Sequence, residues 1–162
     1  MSIRDIRIIG DPVLRTPCDP IRTITDGVRG LIRDLEDTVD DERRAGLAAN
    51  QIGISQRAFS WRTPQGEIGH IINPVIVELS DDLDEDDEGC LSVPGLWFPR
   101  ARAAYARCVG INVDGDEIEL AGSGITARLI QHEVGHLDGE LYIDGLARDV
   151  RKQALRRIRE TI

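Results

Sequence analysis

The chain reads as one domain of mixed helix and strand, and three observations predict this. Apolar residues recur at helical spacing near both ends of the chain. Between them lie short β-rich segments bounded by Gly, Pro, Asn and Asp turn signals. After those strands comes a helical segment carrying Gln131-His132-Glu133-Val134-Gly135-His136. At 162 residues the chain suits a single domain over 1–162, long enough to bury a core.

Residues 6–20 predict an extended, turn-rich lead-in, because Pro12, Pro17 and Pro20 exclude a helix. Val28, Leu31, Ile32, Leu35 and Val39 then predict an amphipathic helix from about 25 to 43, capped by Thr25 or Asp26. Ala45 to Gly53 is crowded with small residues, so a backbone or ligand can come close. Gln51 offers both a donor and an acceptor there. Taken alone, that segment is equally a tight helix-to-strand connection without chemistry. Phe59–Trp61 and Ile68–Leu79 predict strands joined by a turn at Thr63–Gly66, with His70 a strand residue rather than a ligand. Asp81–Glu88 holds seven acids in eight residues and reads as a solvated loop without chemistry. Residues 100–113 predict another strand pair, and Asp114-Gly115 a two-residue hairpin into Asp116–Leu120. A helix follows from about Ser123, then a turn at Asp144-Gly145. Val150, Ala154, Leu155, Ile158 and Ile162 mark a terminal amphipathic helix.

His132 and His136, four apart on a helix, lie one above the other on one face, with Ile125 and Leu129 (or Ile130) near the same stripe. Two imidazoles so placed can bind one metal ion, and Glu133 can act on a water there. A buried, hydrogen-bonded histidine pair has the same spacing, so a third donor matters. Cys90, between Gly89 and a short apolar segment, would complete a three-ligand site with one position open. Cys18, Cys90 and Cys108 form an odd set without paired spacing, which suits free thiols or a metal ligand better than disulfides.

The net charge of −9 disfavours a general binder of nucleic acid or anionic membranes, though a local basic patch stays open. No apolar run approaches membrane-spanning length, and residues 1–7 lack a signal-peptide core. A cytoplasmic protein with no membrane partner is expected.

Three segments, Gly46-Leu-Ala-Ala-Asn-Gln51, Glu88-Gly-Cys-Leu-Ser92 and Gln131–His136, closely resemble in order and content the motifs of the peptide deformylases. The likeness extends to the Gly10–Arg15 lead-in and the terminal helix. It implies an α+β fold, with small antiparallel β-sheets packed around a central metal-binding helix and with N-terminal and C-terminal helices. It implies that Cys90, His132 and His136 hold one divalent metal ion, Fe²⁺ foremost and Zn²⁺ or Ni²⁺ as replacements, with water in the fourth position. It implies Glu133 as proton carrier, with the Gln51 amide and the Leu91 backbone N–H as oxyanion donors. Gly46 would let the substrate backbone pair as an added strand, and Leu129 would wall a methionine pocket. The implied substrate is an N-formylmethionyl polypeptide. The implied further partner is the ribosome, met through the basic terminal helix.

Two positions depart from the family pattern: Arg44 and Gly135 stand where glycine and aspartate are usual. Competing readings are a deformylase of another formylated substrate, a zinc peptidase, and a non-catalytic binder of formyl-peptides or ribosomes. The peptidase pattern would take its third ligand from the position of Tyr142, a poorer ligand than Cys90.

Overall fold

The computed structural model describes residues 2–162. Met1, the first residue of the segment read as lacking a signal-peptide core, lies outside them. Seven strands and three α-helices follow in chain order among the described residues: α1 (Asp26–Val39), β1 (Gly46–Ala48), β2 (Ala58–Arg62), β3 (Ile68–Leu79), β4 (Leu83–Cys90), β5 (Val93–Ala103), β6 (Tyr105–Ile111), β7 (Glu117–Ser123), α2 (Ile125–Leu137) and α3 (Arg148–Thr161). The strands form a five-stranded sheet ordered β1-β2-β3-β6-β7 and a two-stranded sheet of β4 and β5. Every pairing between these strands is antiparallel. The expected α+β class is the one observed.

Strand alternation places α1 and α2 on opposite faces of the larger sheet. Leu47, Ala58 and Ile72 point one way, into a core with Val28, Leu31, Ile32, Leu35 and Val39 of α1. Their neighbours Ala48, Phe59 and Ile71 point the other way, against Ala127, Ile130, Val134 and Leu137 of α2. A third cluster joins β5 to Leu141, Ile143 and the buried Ala154 and Ile158 of α3. The helix that carries the histidines therefore has its apolar face fixed by the sheet, and its other face is left for the site.

Local chemistry explains most boundaries. Thr25 caps α1 by accepting the Val28 N–H at 3.2 Å. The helix stops at Val39, short of the expected 43, where the Asp41 carboxylate accepts the Arg43 N–H at 2.9 Å and competes with the helical pattern. The proline-rich lead-in does form one 3₁₀ turn, Pro12–Arg15, with Pro12 at a position that needs no N–H. The connection from β6 to β7 is longer than two residues. The Asn112 side chain accepts the N–H groups of Asp114 and Asp116 at 2.9 and 3.1 Å, which defers β7 to Glu117. On α3 the expected stripe is narrower, since Leu155 and Ile162 are exposed.

The largest correction concerns the acidic run. Asp81–Glu88 is not simply a solvated loop, since β4 begins at Leu83 and runs through it. Its register explains why: Asp84 lies opposite Arg102, and Asp86 opposite Arg100. The ion pairs that form tie the run at two points: Arg102 meets Glu88 at 2.7 Å, and Arg128 meets Glu88 at 2.9 Å and Asp84 at 3.9 Å, which offsets the poor strand propensity of the acids.

Gly135 sits inside α2, and a Cβ built there would find only Glu140 atoms, the nearest at 3.8 Å. Nothing in the packing requires glycine. Gly135→Ala should therefore raise stability by up to ~1 kcal/mol in chemical denaturation. A less stable variant would show that the backbone at 135 needs glycine's freedom.

Candidate metal centre and cleft

α2 brings the His132 and His136 Nε2 atoms to 3.1 Å from each other. The Cys90 sulfur, at the end of β4, lies 3.3 Å from His136 Nε2. The three donor atoms all fall within 4.8 Å of one another, close enough to share one ion. Cys90 also receives the Ser92 N–H at 3.4 Å and the Gln51 Nε2 group at 3.7 Å. These two contacts hold the sulfur in place beside the histidines. Cys18 and Cys108 are buried, and burial pushes both thiols up to about 11.

Gln51 is fixed at both ends of its amide. Its Oε1 accepts the Ala48 N–H at 2.9 Å, and its Nε2 donates to Ser92 Oγ at 3.1 Å. The amide nitrogen is thereby held toward Cys90. Asn50 donates its side-chain N–H to the His136 carbonyl, tying this segment to the end of α2.

Glu133 is buried, and its Oε1 has no hydrogen-bond partner among the described residues. Burial pushes its carboxyl up to about 7, opposed by the nearby charge of His132. Gly46 explains itself here. A Cβ at that position would strike Leu129 Cδ1 and stand 2.7 Å from Glu133 Oε2. Only glycine lets β1 pass this close to the carboxylate.

All eight residues singled out from the sequence gather at this place. Gly46, Gln51, Cys90, Leu91, Leu129, His132 and Glu133 line one cleft of about 490 Å³, and His136 is buried behind them. Arg44 also lines the cleft, with its guanidinium donating to the Thr38 carbonyl. Ile125, expected in the histidine stripe, is 66% exposed at the cleft wall. The Tyr142 ring stacks 6.0 Å from that of His132, but its hydroxyl turns to the Leu96 carbonyl at 3.5 Å, away from a ligand role.

Sequence reasoning missed Glu88, counted there among the solvated acids. It is 4% exposed and takes hydrogen bonds from His132 Nδ1 at 2.7 Å, Arg102 Nη2 at 2.7 Å and Arg128 Nη1 at 2.9 Å. Burial alone would raise its carboxyl, but the bonds from His132 and Arg102 hold it well below the carboxylate range. A metal-ligating histidine commonly gives its other ring N–H to such a carboxylate, which fixes the ring and its tautomer. The available signal was strand alternation, since a glutamate two residues before Cys90 can face the same side.

A helix-borne His pair, a cysteine, and a buried glutamate at a cleft define a hydrolase built around a single metal site. The polypeptide deformylase family model matches residues 3–152. A peptide deformylase of Parafrankia sp. (strain EAN1pec) is 47% identical over 160 residues, 99% of this chain and 87% of that protein. One from Acidothermus cellulolyticus is 48% identical, covering 99% and 88%. The crystal structure of a peptide deformylase from Legionella pneumophila superposes with a TM-score of 0.90 at 35% identity, covering 98% of this chain and 95% of that one. The chain belongs to the polypeptide deformylase family, whose members are metal-dependent hydrolases.

Proposed function

We propose that this enzyme removes the N-formyl group from the N-terminal methionine of newly made polypeptides, releasing formate. The observation that carries the reading is the Cys90–His132–His136 donor cluster, beside a buried glutamate oxygen that lacks a partner. These donors suit a single divalent ion: thiolate and imidazole match Fe²⁺, Zn²⁺ or Ni²⁺, and Glu88 supports one imidazole from behind. Fe²⁺ is the ion we favour. When bound, the ion acts as a Lewis acid and lowers the pKa of a coordinated water toward neutrality.

The chain's own residues supply the rest. Glu133 takes a proton at the carboxylate oxygen that has no protein partner, and later returns it to the leaving amine. The Gln51 amide and the Leu91 N–H donate to the formyl oxygen as it gains negative charge, one such donor being worth ~3 kcal/mol. Gly46 leaves the edge of β1 open to the substrate backbone. Leu129 forms an apolar wall for the methionine side chain.

The test is anaerobic purification, metal analysis, and formate release from formyl-Met-Ala-Ser beside a formylated small molecule. Metal-dependent turnover of the peptide is expected. Faster turnover of the small molecule, or none of the peptide, would reject the substrate assignment.

Ribosome contact is a further reading. Arg148, Arg151, Lys152, Arg156 and Arg159 are exposed on α3, whereas Arg157 also stacks on Phe98 at 5.5 Å. Docking on RNA phosphates would weaken with added salt, by about 0.7–0.9 in log K per log unit of salt for each phosphate contact. Co-sedimentation with ribosomes should be lost for a chain ending before Asp149 while its deformylation of short peptides is unchanged, and equal binding by both chains would remove α3 from that role. No helix among the described residues is long and apolar enough to cross a membrane. A cytoplasmic enzyme acting on nascent chains fits these readings.

A further inference from the structure

Trp97 of β5 is 64% exposed and lines the same cleft as Cys90 and Glu133. Its register partner on β4 is Gly89, the residue just before Cys90. A Cβ at Gly89 would come within 2.7 Å of the indole, so glycine lets the ring lie directly against the β4 backbone. Its neighbour Phe98 points the other way and is buried in the core. The indole thus belongs to the face of the small sheet that turns away from the core.

Two sheet edges meet the cleft. β1 is the end strand of the larger sheet, and β4 pairs only with β5. Gly46 of β1 and Asp87, Glu88 and Gly89 of β4 line the space between them. An extended peptide laid there can pair with either edge. Along such a strand, side chains alternate. If the first one turns inward to Leu129, the next turns outward, to the face that Gly89 and Trp97 share.

We infer that Trp97 is a specificity-determining residue for the side chain that follows the formylated methionine, and that it selects an apolar or aromatic one. The inference rests on the deformylase reading. Gly89 leaves that face without a side chain of its own, and the indole supplies the contact surface. The charged groups at the cleft are of mixed sign, Arg43 and Arg44 against Asp87, so they do not select one charge.

The test compares kcat/KM for formyl-Met-Phe-Ser and formyl-Met-Gly-Ser, using metal-loaded wild type, Trp97→Ala and Trp97→Phe. The ratio within each variant cancels differences in active enzyme. Wild type should favour the phenylalanine peptide by about 3- to 10-fold, the scale of an aromatic pair. Trp97→Ala should bring the ratio near one, and Trp97→Phe should keep most of it. A wild-type ratio near one, or a ratio that survives Trp97→Ala, overturns the inference. If wild type deformylates neither peptide, the deformylase reading itself fails and takes the inference with it.

Discussion

Glu133→Gln is expected to keep its metal and to lose turnover by ~10²-fold or more. Glutamine has nearly the same shape, so the packing against Gly46 and Leu129 survives, but an amide cannot accept the proton. The fold should not suffer. Burial is the largest influence on this carboxyl and penalises its charged form, so a neutral side chain sits there at no greater cost. The measurements are formate release, metal content and thermal unfolding on one preparation. Near-normal kcat with metal bound would show that Glu133 does not carry the proton, whereas loss of metal would give it a part in binding the ion.

Much of this site was legible because its residues announce themselves locally. His132 and His136 declare a helix face by spacing alone, and Cys90 gains meaning only beside them. The α1 stripe was read residue for residue, since a 3.6-residue period needs no knowledge of the partner. What stayed hidden depends on contacts remote in sequence. Glu88 meets Arg102, Arg128 and His132 across 14, 40 and 44 residues, and its place two residues before Cys90 sets it apart from the exposed acids Asp86 and Asp87 only once the strand is known. Strand β4 was hidden for the same reason: the arginines opposite its acids lie on the next strand. Gly46 is a different case. Its place in the motif was visible, but the reason for glycine, the approach of Glu133 and Leu129, appears only in three dimensions.

The two departures from the family pattern divide along the same line. Arg44 reaches the cleft but ties its guanidinium to the end of α1, so it need not block entry. At Gly135 no close contact takes up the space of the absent side chain, and the polar space beside it is lined by Arg100, Arg102, Glu140 and Asp144. Neither change touches the donor cluster.

Glu88→Gln should produce the largest loss of stability. The carboxylate is 4% exposed, and its partners Arg102 and Arg128 are 10% and 15% exposed, so solvent screens these pairs little. Removing one charge from a buried network leaves the others uncompensated, which costs about 3–5 kcal/mol. A second consequence follows from His132. Without a carboxylate at Nδ1, the ring loses the bond that sets its orientation and tautomer, and metal affinity should fall by about 10- to 100-fold. Urea denaturation reads the first effect and chelator competition the second. Glu85→Gln is the matched control, since it removes the same charge from an exposed position on the same strand, opposite Ala101, and should shift stability by less than about 0.5 kcal/mol. If Glu88→Gln matches that control in both measurements, the network around Glu88 neither holds β4 in place nor orients His132. If it loses stability but keeps its metal affinity, the carboxylate serves the arginines alone.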